Sequence, residues 1–148
     1  EGMIAQTIQL ALAPVFVLVA IGNIMNILSS RLGRVVDRSR VLQHRHGETS
    51  GAEHDAVVRE IRMVDTRIKL IGRAILLLVL AGLAIGLTVV LLFVEEFLHL
   101  QLQAVAAGGF ILAIGLMMSA LWLFLKETRE ATDALRIPRE LLELDRKL

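Results

Sequence analysis

Residues 21–40 read IGNIMNILSSRLGRVVDRSR. The stretch begins as an apolar helix and ends as a charged one, with no Gly/Pro cluster between. Asn23 and Asn26 sit late in the apolar part, Ser29 and Ser30 mark the change, and Arg31, Arg34, Arg38 and Arg40 follow with a single acid, Asp37. This is the pattern of one long helix that leaves a membrane and continues into water.

Working outward, the chain carries three uncharged runs: Leu10–Leu28, Ala74–Val94 and Leu100–Leu125. A helix needs about 20 apolar residues to cross a hydrocarbon core of about 30 Å, and each run has that length. The overall composition agrees: 55% of the 148 residues are hydrophobic and the mean hydropathy is +0.67, against about 45–50% apolar in a soluble domain. The fold class expected is all-α, a polytopic membrane protein in one domain. Its transmembrane helices lie at about 6–28, 74–94 and 101–125, with a helical hairpin extension at about 30–70 and a tail at 126–148. The basic cluster follows the first run instead of preceding it, which is the order of a stop-transfer segment and not of a secretory leader.

The sixteen Lys and Arg are distributed unevenly. Ten lie between Arg31 and Arg73, six between Lys126 and Lys147, and none before Arg31 or in the connection 95–103. The positive-inside rule then puts the hairpin and the tail in the cytoplasm and the N-terminus outside. The chain has no cysteine, which excludes disulfides, thiolate metal sites and cysteine catalysis.

Two faces are readable on the first helix. Leu28, Leu32, Val35, Ser39 and Leu42 follow at steps of four and three, a heptad-like seam. Val57, Ile61, Val64 and Ile68 form the matching face of the second helix, so the two should pair as an antiparallel hairpin around a turn at HGETSG, 46–51. Pro14 is expected to kink the first helix or to mark its start. The second face is polar: Asn23, Asn26, Ser30, Arg34 and Asp37, continuing outward through Phe16. Polar groups in hydrocarbon require a partner or water. Three crossings enclose little by themselves, so the face is expected either to glue one helix to a neighbour or, in a homo-oligomer, to line an ion channel. Phe16, Asn23, Asn26, Ser30, Arg34 and Asp37 are the candidate pore-lining residues.

Arg31, Arg34, Arg38 and Arg40 read as topology charge, as a cluster for anionic lipid headgroups, or as basic rings at an inner pore mouth. Asp37 has the spacing to pair with Arg34 or Arg40. Gly82 and Gly86 in the second crossing and Gly115 and Ser119 in the third give small-xxx-small faces, expected to pack these two helices together. The paired carboxylates Glu95 and Glu96 are placed in the outer turn. His44, His46 and His54, with Glu48 and Asp55, match no specific metal-site spacing, and no metal or cofactor is expected. Hydrolase and phosphate-loop signatures are absent, as is any titratable group within the apolar runs; the chain does not read as an enzyme. The partners expected are membrane lipids and further copies of the chain, with no nucleic acid.

The segment from Gln6 to Arg40, especially LAPVF at 12–16 and NILSSRLGRVVDRSR at 26–40, resembles a bacterial membrane family known as Domain of Unknown Function 2721. The likeness covers nearly the whole chain, and its most specific part is Arg31, Leu32, Arg34, Val36, Asp37 and Arg38. It implies an inner-membrane protein and carries no activity or catalytic residues with it. The function expected is therefore that of the polar face, a homo-oligomeric channel lined by the first helix. The alternative is a membrane scaffold or anionic-lipid-binding accessory protein without transport.

Overall fold

The computed structural model describes residues 2–134, 141 and 143–147. It contains three helices: α1, Gly2–His46; α2, Ala52–Leu98; and α3, Gln103–Ala134. All three are long and apolar enough to cross a membrane. At 1.5 Å per residue, α1 and α2 run to about 70 Å and α3 to about 50 Å. A crossing uses about 30 Å of this, so α1 and α2 project well beyond the bilayer as a paired rod.

The middle helix of the bundle is α2, packed along one side by α1 and along another by α3, while α1 and α3 meet only sparsely. The core follows a strict seven-residue register. In the core cluster α1 contributes Ile21, Leu28, Val35 and Leu42 and α2 contributes Val57, Val64, Ile71, Leu78 and Ile85; Ala11 of α1 is buried off this register. A second α2 line, Ala74, Ala81 and Thr88, is buried together with Ala106, Ala113 and Ala120 of α3. A seven-residue repeat is the register of left-handed, knobs-into-holes helix packing. The seam runs without a break from the membrane part into the projecting rod, where Val35, Leu42, Val57 and Val64 join the same cluster and Ile61 packs against it. The α1–α2 side is built from large aliphatics and the α2–α3 side from alanines, so α3 can lie closer to α2.

The tightest point between α2 and α3 is Gly109. A Cβ there would lie 2.7 Å from Thr88 Oγ1. That hydroxyl is itself pinned, donating to the Ala84 carbonyl at 2.8 Å, the usual way a lone hydroxyl is satisfied inside a helix. The small-xxx-small residues of the two helices do not make this contact. Gly86, Gly115 and Ser119 are exposed on the single chain, and a Cβ on Gly82 would face Leu18 of α1 at 3.7 Å, not α3. Alanines at heptad spacing carry the contact that had been expected of the glycines.

Helix ends also differ from expectation. α1 is helical straight through Pro14, which is buried on the seam side; Pro14 therefore does not start the helix. The turn after α1 closes by hydrogen bonds from the Gly47 and Glu48 amides to the His44 and Arg45 carbonyls. Gly51 then enters α2 at φ 69°, ψ −139°, a backbone conformation that suits glycine and few other residues. At the opposite end α2 continues through Glu95 and Glu96 to Leu98 and stops on His99 in the left-handed conformation. The two glutamates are thus helical residues and not turn residues.

Candidate functional site

The polar face of α1 is turned away from the seam: at about 100° per residue Asn23, Asn26, Ser30 and Asp37 lie about half a turn from positions 21, 28 and 35, and Arg34, next to Val35, lies about 100° from it. Asn23, Asn26, Ser30, Arg34 and Asp37 are all exposed, and Phe16 is 68% exposed. Among the described residues, neither asparagine carboxamide finds a hydrogen-bonding partner within the chain. This is unlike the hydroxyls of Thr66, Thr88 and Ser119, which all bond to their own helix carbonyls. The fold therefore leaves two amide side chains open at membrane depth, where an unsatisfied polar group costs free energy.

The four arginines separate into different environments. Arg38 donates from Nε to Glu60 Oε1 at 2.8 Å, tying α1 to α2 in the rod. That hydrogen bond raises the Arg38 guanidinium above its ordinary pKa, against the opposing effect of burial and with the help of the Glu60 charge. Arg34 and Arg40 are exposed, and among the described residues neither forms an ion pair. Asp37 pairs with neither of them, which corrects the i±3 pairing expected from spacing alone.

Arg31 is placed differently from the other three. It donates from Nε and Nη2 to Glu127 Oε2 at 3.0 and 2.6 Å, and its guanidinium lies 5.3 Å from the centre of the Phe124 ring. From the other side Arg67 Nε donates to Glu127 Oε1 at 3.0 Å. Glu127 is completely buried, while the side chains of Arg31 and Arg67 are 28% and 23% exposed. One residue from each helix thus meets at the level where the apolar runs of α1 and α3 end. Two cations on one carboxylate also leave the cluster with a net charge of +1.

Sequence reading missed Glu127 and Arg67. A signal was present: Glu127 is the next seven-residue step after Ala106, Ala113 and Ala120. A carboxylate at a core position of a membrane bundle has to be paired, since an isolated buried charge is prohibitively costly.

The histidines beside the rod's turn contact one another and nearby groups. His46 and His54 rings lie 4.6 Å apart, Thr49 Oγ1 contacts His54 Nδ1 at 3.2 Å, and His44 Nε2 lies 3.1 Å from Glu48. At the opposite end of the molecule an apolar cavity of about 340 Å³ opens between α1, α2 and α3, walled by Leu10, Pro14, Leu92, Ala106 and Phe110. Above it Thr7 Oγ1 donates to Glu96 Oε2 at 3.4 Å.

The model of a protein family of unknown function, DUF2721, matches residues 11–137. The chain belongs to the DUF2721 family. The match covers all three crossings, the polar face, the rod and the ion triad. Comparison with curated proteins gives no match, and neither does comparison with solved structures. What is established for this DUF2721 chain is accordingly a membrane-spanning helical architecture, and its activity has to be argued from the site.

Proposed function

We propose that this DUF2721 protein is the protomer of a homo-oligomeric channel in a bacterial inner membrane, with the polar face of α1 lining a water-filled path. The observation that carries the reading is the exposure of Asn23 and Asn26 on the side of α1 opposite the core, with no partner among the described residues for either amide. Packing several copies around this face would give the amides water or one another, whereas a lone protomer would turn them to lipid. Ser30, Arg34 and Asp37 continue the same line toward the rod. The large aliphatics exposed elsewhere, such as Leu83 and Leu87 of α2 and Ile111 of α3, suit lipid contact.

In this reading the rod and the tail are cytoplasmic, from the one-sided distribution of Lys and Arg. Cysteines introduced singly at Gln103 and at Gly51 test it, since the chain has none of its own. On intact cells only Gln103→Cys should react with a membrane-impermeant thiol reagent. Equal reaction at both positions would refute the orientation.

The pathway is tested by flux in liposomes. An exposed Arg34, which forms no ion pair among the described residues, sets a positive field at the inner mouth, so chloride should pass in preference to potassium. Arg34→Glu should shift the preference toward potassium. Asn23→Leu should lower flux by removing a hydrating group, with the assembly intact. Absence of flux under every voltage and pH applied would instead favour a scaffold or lipid-binding protein, in which Asn23→Leu weakens helix association by about 0.6 kcal/mol.

A further inference from the structure

The buried Glu127 carboxylate leaves guanidinium donors to spare. Arg31 commits Nε and Nη2 to it, and Arg67 commits only Nε. Arg31 Nη1 and both Nη atoms of Arg67 therefore have no partner among the described residues. No buried side-chain nitrogen of the described residues lacks a hydrogen bond, so these three nitrogens reach the molecular surface. They are also held in place. Each arginine is anchored on a different oxygen of one fully buried carboxylate, and Arg31 is further fixed against Phe124.

We propose that Arg31 and Arg67 form a binding site for a phosphate group, with Glu127 as the positioning residue. Three observations lead there. The donors are guanidinium N–H groups, whose fork matches phosphate oxygens better than a point charge does. The cluster's net charge of +1 complements a singly charged phosphodiester. The site lies just beyond the ends of the apolar runs at Leu28 and Leu125, the depth at which lipid phosphates sit. Neighbouring cations lack one or another of these properties. Arg38 is paired with Glu60 and Lys69 with Asp65, while Arg34 and Arg40 are exposed and held by no ion pair among the described residues. The site stands apart from the α1 path, and it is occupied whether or not ions flow.

The test uses the full chain in mixed micelles with phosphatidylglycerol and phosphatidylcholine, reading retained lipid by native mass spectrometry. The wild type should retain phosphatidylglycerol over phosphatidylcholine. Arg67→Lys, which keeps the charge and loses the fork, should cut that preference roughly tenfold, about the worth of one charge-assisted hydrogen bond. The triple variant Arg31→Met, Arg67→Met, Glu127→Leu should abolish it, with its thermal transition in phosphatidylcholine preserved, because an apolar replacement of a whole buried ion cluster is commonly tolerated. Arg34→Gln with Arg40→Gln removes two cations from the same end and should leave most of the preference in place.

A second arm adds inorganic phosphate to the protein in phosphatidylcholine alone. Stabilisation by phosphate equal to that by phosphatidylglycerol, and lost in Arg67→Lys, identifies a soluble phosphate as the source. Stabilisation by the lipid alone identifies the headgroup. The proposal is overturned if Arg67→Lys retains the wild-type preference, or if the Arg34/Arg40 pair loses as much as the triple variant.

Discussion

Glu127→Leu alone should destabilise the protein by about 3–5 kcal/mol, the usual cost of removing one partner from a buried ion pair. The loss does not come from missing packing, since leucine fills a similar volume. It arises because Arg31 and Arg67 remain tethered at the junction of three helices with no counter-charge between them. The same substitution made together with Arg31→Met and Arg67→Met should recover most of the loss, so the three changes are strongly non-additive. Glu60→Ala, which breaks the exposed pair with Arg38, should change stability little, as exposed ion pairs generally do. Thermal unfolding of these three variants and the wild type in one detergent is the measurement. A Glu127→Leu variant as stable as Glu60→Ala would show that the triad does not join the helices.

Leu42→Asp should open the rod. Leu42 is fully buried near the far end of the α1–α2 seam. The substitution gives up about 1.5–3 kcal/mol of apolar burial and puts a carboxylate at a fully buried core position, a change that costs about 4 kcal/mol or more in general. Because the seam is one continuous register, the damage should be graded along it. Amides around Val35 and Val64 should lose hydrogen-exchange protection, while those around Leu78 and Ala113 keep theirs. Unchanged protection throughout 30–70 would mean that the seam contributes nothing to holding the rod together.

The three crossings were legible because a long uncharged run has few alternatives. The rod was legible because Leu28, Val35 and Leu42 keep a seven-residue period across the change from apolar to charged sequence. The same period explains what was misread. Gly82, Gly86, Gly115 and Ser119 attracted notice as a motif, yet they fall off the buried register, on which Ala81, Ile85, Ala113 and Ala120 lie. Small-residue spacing alone does not say which face is turned inward, and the heptad does. Glu127 was overlooked for a related reason. Its position after Lys126 made it look like the first residue of a solvated tail, whereas α3 continues to Ala134 and carries its core register through 127. The polar face was visible as residues, but that its amides meet no partner among the described residues depends on how α2 and α3 are placed. Only the packed structure shows that both sit on the other side of α1.

In the proposed channel Asn23 faces water at membrane depth. The chain lacks cysteine, so a single introduced thiol reports cleanly. The decisive measurement is the rate at which a charged, water-soluble thiol reagent modifies Asn23→Cys in native membranes, compared with Leu83→Cys on the apolar outer surface of α2, where the side chain is 66% exposed. Reaction at 23 and silence at 83 is the result expected of a water-lined α1. Silence at 23, or equal reaction at the two positions, would contradict it.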